Sequence, residues 1–298
     1  MTTIALLACA AVLAQTPSAT FDSNGVPIRY ASAGEGEAIV LIHGWMSDAT
    51  MWGRDATGEP KLTPVDGFRV IALDCRGHGK SGKPQDPNAY GAEMAADVVR
   101  LLDHLKIKRA HLVGYSMGAF IAAKAVATHP ERVISVVYGG QAPLLTGEAG
   151  SREIDVFAKA VEDGTGLGPY LIEFAPPFRN STLSQANAMA DIFFKGKDVK
   201  AFALAGKSFA GLEVKRDDLA KTRIPTLFLY GEKEGEGTRA RIAALRAALS
   251  AEEKVLPGVD HSTALIHREF GASLVQFVRK HRLTREADQG EVRAKARL

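Results

Sequence analysis

Three observations predict an α/β protein: a mostly parallel, doubly wound central sheet with helices on both faces. The apolar runs 38–42, 69–73, 110–115, 133–138 and 224–230 lack the strict alternation of half-exposed strands, so they read as strands covered on both sides. Amphipathic helical sequence separates them; residues 93–105 align Met94, Val98, Leu101, Leu102 and Leu105 on one face. The strands end in loops of turn chemistry, among them His43-Gly44-Trp45, 74–82, 114–118 and 231–237. Strands alternating with helices at this spacing mean βαβ units. A chain of 298 residues, 46% hydrophobic, suffices for one large domain or one domain carrying an insertion.

The order begins with a segment set apart. Residues 3–14, TIALLACAAVLA, are apolar, uncharged and too short to span a bilayer as a helix, and Val12-Leu13-Ala14 supplies small residues for cleavage before Gln15. Residues 1–20 therefore read as a signal peptide, and the protein is expected to be exported, periplasmic or secreted, with no integral membrane span after its removal. No Lys or Arg precedes the apolar run, which leaves open a frayed N-terminus of a cytoplasmic protein. A lipoprotein anchor at Cys9 is the third reading.

The body is read as 21–140 plus 223–281. Residues 26–32 and 38–42 are its first strands, joined by Gly34-Glu35-Gly36, and strands 69–73, 110–115 and 133–138 follow. From 141 to 222 the rhythm breaks: helical pieces 151–163, 184–195 and 198–209 are separated by Gly- and Pro-containing stretches, a helical cap over the carboxyl ends of the strands. The sheet resumes at 224–230; a helix at 238–249, a short strand near 253–256, the loop 257–262 and a helix at 264–280 close it. Residues 282–298 form a polar tail with five basic and three acidic side chains. The whole chain has 37 Lys+Arg against 34 Asp+Glu, so the body is close to neutral and lacks the basic face of a nucleic-acid binder. With Cys9 removed, Cys75 has no partner for an intramolecular disulfide, and its place after a buried strand suits a small packing residue. No Cys/His cluster has metal-ligand spacing.

The chemistry centres on HLVGYSMGAF, residues 111–120. A strand, a very tight turn and an Ala-rich helix put Ser116 at the apex, with Gly114 and Gly118 two residues away on each side. An apex this sharp holds its residue in a strained conformation and brings its neighbours against crossing backbone, where only small residues fit. The hydroxyl is left exposed, and the helix N-terminus favours developing negative charge. This is the G-x-S-x-G nucleophile elbow. Its base must come from eight histidines. His104, His111, His129, His267 and His281 sit in or beside helices and strands as structural or solvated residues, and His43 and His78 lie in glycine-containing loops. His261 follows the last strand, in a loop whose glycine and proline can aim it back over the sheet, and the order Ser…acid…His fits this architecture. The acid belongs after strand 224–230, where Glu232, Glu234 and Glu236 are all candidates.

Together, HGW (43–45), DCRGHGKSG (74–82), GYSMG (114–118), IPTLFLYGEKE (224–234) and GVDHS (258–262) resemble the α/β-hydrolase fold superfamily, in its cap-bearing branch. The pieces stand in the family's order and span about residues 26–280 outside the cap. The resemblance implies Ser116 as nucleophile and His261 as base. In the family's G-x-x-D motif the acid stands three residues after the glycine, which here is Glu234 in place of the commoner aspartate. It also implies two backbone oxyanion donors, the N–H groups of Trp45 and Met117. His43 would then shape its loop, and Asp74, Arg76 and His78 would be structural.

The resemblance thus implies a serine hydrolase, carboxylesterase-like, that cleaves an ester of a small-molecule substrate through an acyl-serine, with no cofactor and no metal. Serine at the elbow argues against the family's haloalkane dehalogenases and epoxide hydrolases, which carry aspartate there. Lactonases, C–C bond hydrolases, proline aminopeptidases and perhydrolases share the elbow and stay open, and a non-catalytic binding module is the reading from another class. Phe174, Phe178 and Phe209, with Trp45, are candidates for an apolar acyl pocket.

Overall fold

The computed structural model describes residues 16–54, 56, 58–60 and 62–283. The apolar leader 1–15 and most of the tail, 284–298, lie outside the described residues. Eight strands form one sheet in the order β1-β2-β4-β3-β5-β6-β7-β8. They are β1 Ser18–Ser23, β2 Val26–Gly34, β3 Glu37–Ile42, β4 Phe68–Leu73, β5 Ala110–Tyr115, β6 Val133–Gly139, β7 Thr226–Gly231 and β8 Glu252–Leu256. The β1–β2 and β2–β4 pairs are antiparallel, and every pairing from β4 to β8 is parallel.

The unbroken apolar runs have the cause the sequence suggested. In β3, Ala38, Val40 and Ile42 face one core, with helices α1 (Ala92–His104), α2 (Met117–Thr128) and α8 (Glu236–Leu249). Ile39 and Leu41 face the other, beneath Phe270, Leu274 and Phe277 of α9 (Arg268–Lys280). Alternate residues point to opposite faces, so a strand covered twice must be apolar at every position.

Two elements differ from expectation. The first strand is β1, whose residues Ser18–Thr20 fall inside the 1–20 stretch read as a leader and pair with Arg29–Ala31. The folded body thus starts before residue 21, and cleavage after Ala14 leaves β1 whole. The closing helix 264–280 is split: a short turn at Ala264–Ile266 precedes α9, whose N-cap His267 accepts the Glu269 N–H.

Between β6 and β7 the described residues hold no strand. They hold α3 (Arg152–Asp163), α4 (Gly168–Phe174), α5 (Leu183–Phe193), α6 (Val199–Lys207) and α7 (Arg216–Thr222). The first four share an apolar cluster of their own around Phe157, Leu171, Ala190 and Phe202. The fifth, α7, packs on α2 and α8 of the body. The entering and leaving arms of this insertion meet at a parallel bridge, Leu145 to Val214. Glu213 reinforces it by accepting the Ala149 N–H at 2.7 Å.

Candidate active site

The parallel strands deliver their carboxyl ends to one edge of the sheet. Onto that edge open the His43 loop after β3, Ser116 after β5, Gly140 after β6, the glutamate loop after β7 and the His261 loop after β8.

Ser116 holds φ 55° and ψ −118°, far from the ordinary basins of a non-glycine residue. Its flanking glycines are sterically required. A Cβ on Gly114 would stand 2.0 Å from the Gly118 carbonyl oxygen, and one on Gly118 would stand 2.1 Å from the Ile42 carbonyl oxygen. The Ser116 N–H donates to the Gly139 carbonyl at 2.9 Å, which fastens the apex to β6. Helix α2 is apolar nearly all round, with Met117 through Ala123 buried. The elbow is therefore rooted in the most enclosed helix of the body.

Of the three candidate glutamates, the structure brings Glu234 to the histidine: His261 Nδ1 donates to Glu234 Oε1 at 3.0 Å. Glu234 is only 6% exposed. Glu232 instead accepts the Gly258 N–H at 2.8 Å, bracing the loop that leads to His261. Glu236 begins α8. The Tyr115 hydroxyl donates to the His261 carbonyl at 2.5 Å, a tie from the residue beside the elbow. Burial opposes a charged His261, but the Glu234 hydrogen bond and charge outweigh it, and the pKa is raised above its ordinary value. No hydrogen bond joins the Ser116 hydroxyl to the His261 ring among the described residues. Contacts of this kind often tighten only around bound substrate.

The N–H groups of Trp45 and Met117 have no acceptor among the described residues. The loop that carries the first lies on the serine: a Cβ on Gly44 would stand 3.2 Å from Ser116 Cβ and 3.8 Å from Oγ. His43 shapes that loop, its Nδ1 donating to the Gly44 carbonyl at 2.7 Å and its Nε2 accepting the Cys75 N–H at 2.9 Å. Burial depresses its pKa, as befits a neutral structural ring. Asp74 accepts the N–H groups of Ala49 and Lys80 at 2.7 and 2.8 Å, and buried Arg76 pairs with Asp97. The pKa of His78 falls to about 3, first through burial. Cys75 is a buried free thiol with its pKa raised by burial.

A cavity of about 220 Å³ opens beside Ser116. Trp45, Met117, Phe120, Leu144, Ile154 and Phe209 supply its apolar wall. Phe174 and Phe178 do not line it; they pack on Tyr170 and Phe193 inside the insertion. The opposite wall is polar and was not anticipated: Gln141, Glu148, Glu153 and Arg241. Arg241 donates to Gln141 Oε1 at 2.5 Å and Glu148 Oε2 at 3.4 Å, while Glu153 accepts from the Tyr170 hydroxyl at 2.9 Å. These residues come from three separate segments, each resembling solvated surface in the sequence. Among the described residues no group of three His, Cys, Asp or Glu is placed to hold a metal ion, and no helix is long and apolar enough to cross a membrane.

Residues 37–164 match the alpha/beta hydrolase fold family. The AB hydrolase superfamily protein YisY of Bacillus subtilis (strain 168) is 30% identical over 216 residues, covering 67% of this chain and 75% of that protein. An epoxide hydrolase of Caballeronia sordidicola is 32% identical over 156 residues, 52% of this chain and 45% of that one. The chain spans less than half the length of the curated relatives it matches over 117 and 156 residues, 29% and 45% respectively. Among solved structures, the enol-lactonase from Burkholderia xenovorans LB400 superposes with a TM-score of 0.68 at 25% identity, covering 87% of this chain and 99% of that one. Sheet order, elbow and sequence likeness agree: the chain belongs to the alpha/beta hydrolase superfamily.

Proposed function

We propose that the protein is a serine hydrolase that cleaves a carboxylic ester of a small molecule, with Ser116 as nucleophile, His261 as base and Glu234 as the residue that orients it. The observation that carries this reading is the hydrogen bond from His261 to the buried Glu234, at 3.0 Å, on the same sheet edge as a serine held at positive φ. Ser116 Oγ attacks the ester carbonyl carbon as His261 Nε2 takes its proton. The oxyanion is received by the N–H groups of Trp45 and Met117, each contributing on the order of 3 kcal/mol. Collapse expels the alcohol, protonated by His261, and leaves an acyl-serine. Water, deprotonated by His261, then releases the acid and restores Ser116.

The helices of 141–222 serve as a cap that selects what reaches the serine. Lactones are the second reading, supported by the likeness to an enol-lactonase and by the polar wall at Gln141 and Arg241. The epoxide hydrolase likeness is set against serine at the elbow. Export is proposed from the apolar leader, with cleavage after Ala14.

The test is labelling by a serine-directed fluorophosphonate, followed by a panel of short and long acyl esters and lactones. The wild type is expected to label and Ser116→Ala to be silent. An unlabelled wild type overturns the reading. Mass spectrometry of the N-terminus of expressed protein checks the cleavage site.

A further inference from the structure

The peptide joining Gly44 to Trp45 is fixed through its carbonyl. That oxygen accepts from His43 Nδ1 at 2.7 Å and from the Ser47 N–H at 3.3 Å. In a trans peptide the N–H points away from the C=O, so these partners aim the Trp45 N–H in the opposite direction. The next residue, Met46, holds φ 62°, a strained conformation that a non-glycine residue keeps only where its surroundings enforce it.

The surroundings here are the helical insertion. The Trp45 indole N–H donates to the Phe202 carbonyl of α6 at 2.9 Å. Its ring packs edge-on against Phe157 of α3 at 5.2 Å and against Phe209 at 6.2 Å. Lys197 Nζ reaches the Met46 carbonyl at 3.5 Å. Gly206 leaves room for the indole: a Cβ there would lie 3.0 Å from Trp45 Cζ2 and 3.1 Å from Ile154 Cγ2. The Met117 N–H, by contrast, is carried by the first turn of α2, directly after the elbow, and the Met117 side chain belongs to the core of the body.

We propose that Trp45 is a positioning residue whose indole ties the seating of α6 to the aim of its own backbone N–H. One oxyanion donor is then set by the cap and the other by the elbow. The catalytic consequence rests on the ester-hydrolase reading; the mechanical coupling does not.

Two variants separate the indole from α6 in different ways. Trp45→Phe keeps an aromatic ring and loses the N–H; Gly206→Ala keeps the N–H and wedges the ring away. On a short activated ester each is expected to lower kcat about 10- to 100-fold with KM within about 3-fold, less than the loss of a complete donor. Affinity for a boronic acid, whose serine adduct carries the tetrahedral oxyanion, should fall by the same factor, while affinity for the carboxylic acid product holds. The double variant should be no worse than Trp45→Phe alone, because the smaller ring escapes the added methyl. Exchange of the Ser47 amide should quicken about 10-fold in both variants, with melting temperatures reporting that each is folded. This readout needs no turnover. If the wild type hydrolyses no ester yet Ser47 exchange quickens, the ester reading falls and the coupling stands. If kcat and Ser47 exchange both hold, or kcat falls while boronic acid affinity does not, the coupling is overturned.

Discussion

His261 Nδ1 donates to Glu234 Oε1 at 3.0 Å, while the other carboxylate oxygen, Oε2, is buried with no hydrogen-bond partner among the described residues. The histidine therefore receives the carboxylate's charge with little competition from other donors. Glutamine fits the same space, its oxygen facing Nδ1–H and its amide in the position of Oε2. Glu234→Gln should thus fold normally and lose about 10²- to 10⁴-fold in kcat, as expected when the orienting charge is removed. Glu232→Gln and Glu236→Gln should stay within about 3-fold of wild type. Steady-state kinetics on one ester checks all three; collapse of Glu232→Gln in place of Glu234→Gln would refute the assignment.

The pH profile follows from the same pair. Burial alone would depress the His261 pKa, and Glu234 raises it past the ordinary value. A base works when neutral, so kcat/KM should rise with pH through a midpoint above about 6.5. In Glu234→Gln only the Gly140 carbonyl and the Glu153 charge are left to oppose burial, and the midpoint should move down. Folding responds oppositely to catalysis. A raised folded-state pKa means that His261 stabilises the fold fully below its unfolded pKa and ceases to do so as pH rises through the folded value. Profiles of kcat/KM and of melting temperature, taken together, separate the two effects.

Acid should destabilise the protein through His78 and His43. Both are fully buried, and the pKa of His78 is lowered to about 3, with no hydrogen-bond partner for its Nε2 among the described residues and its ring 4.8 Å from that of Phe202. Between about pH 6.5 and 3 the unfolded chain binds protons that the folded chain refuses, so stability falls with pH across that window. His78→Phe should flatten the fall in denaturation midpoint between pH 6 and pH 4, a range set by the ordinary histidine pKa of about 6.5. An unchanged slope would assign the acid sensitivity elsewhere.

Gly118→Ala sets a methyl 2.1 Å from the Ile42 carbonyl oxygen, backbone against backbone. Neither partner is a flexible side chain that can step aside. The variant should be insoluble or lose about 3 kcal/mol or more, in line with overpacking at a rigid site. Gly237→Ala, at a position with open space, should be close to neutral. Thermal melts of the two proteins make the comparison.

The elbow was legible because its constraint is local: three residues of two types at fixed spacing, with backbone crossing on both sides. The strands were legible because burial on two faces removes alternation. Glu234 was not separable by residue type, since three glutamates alternate along one loop and only the turn after β7 decides which meets His261. Helix α4 was hidden by Gly168-Pro169, which reads as a linker although proline in the first turn of a helix is favourable. Strand β1 was hidden by its polar, exposed outer residues, the signature of an edge. The polar wall of the cavity was invisible because Gln141, Glu153 and Arg241 meet only after folding.

The bridge between Leu145 and Val214 has a consequence for the history of such a protein. Thr146 and Val214, 68 residues apart in sequence, stand within hydrogen-bond distance. The stretch between them therefore leaves and returns through one doorway. An exchange of that stretch has one backbone doorway to satisfy and the seat of Trp45 to match, while the serine, the histidine and the glutamate all lie outside it. A whole module can then be replaced without moving Ser116, His261 or Glu234, provided its replacement seats the indole of Trp45.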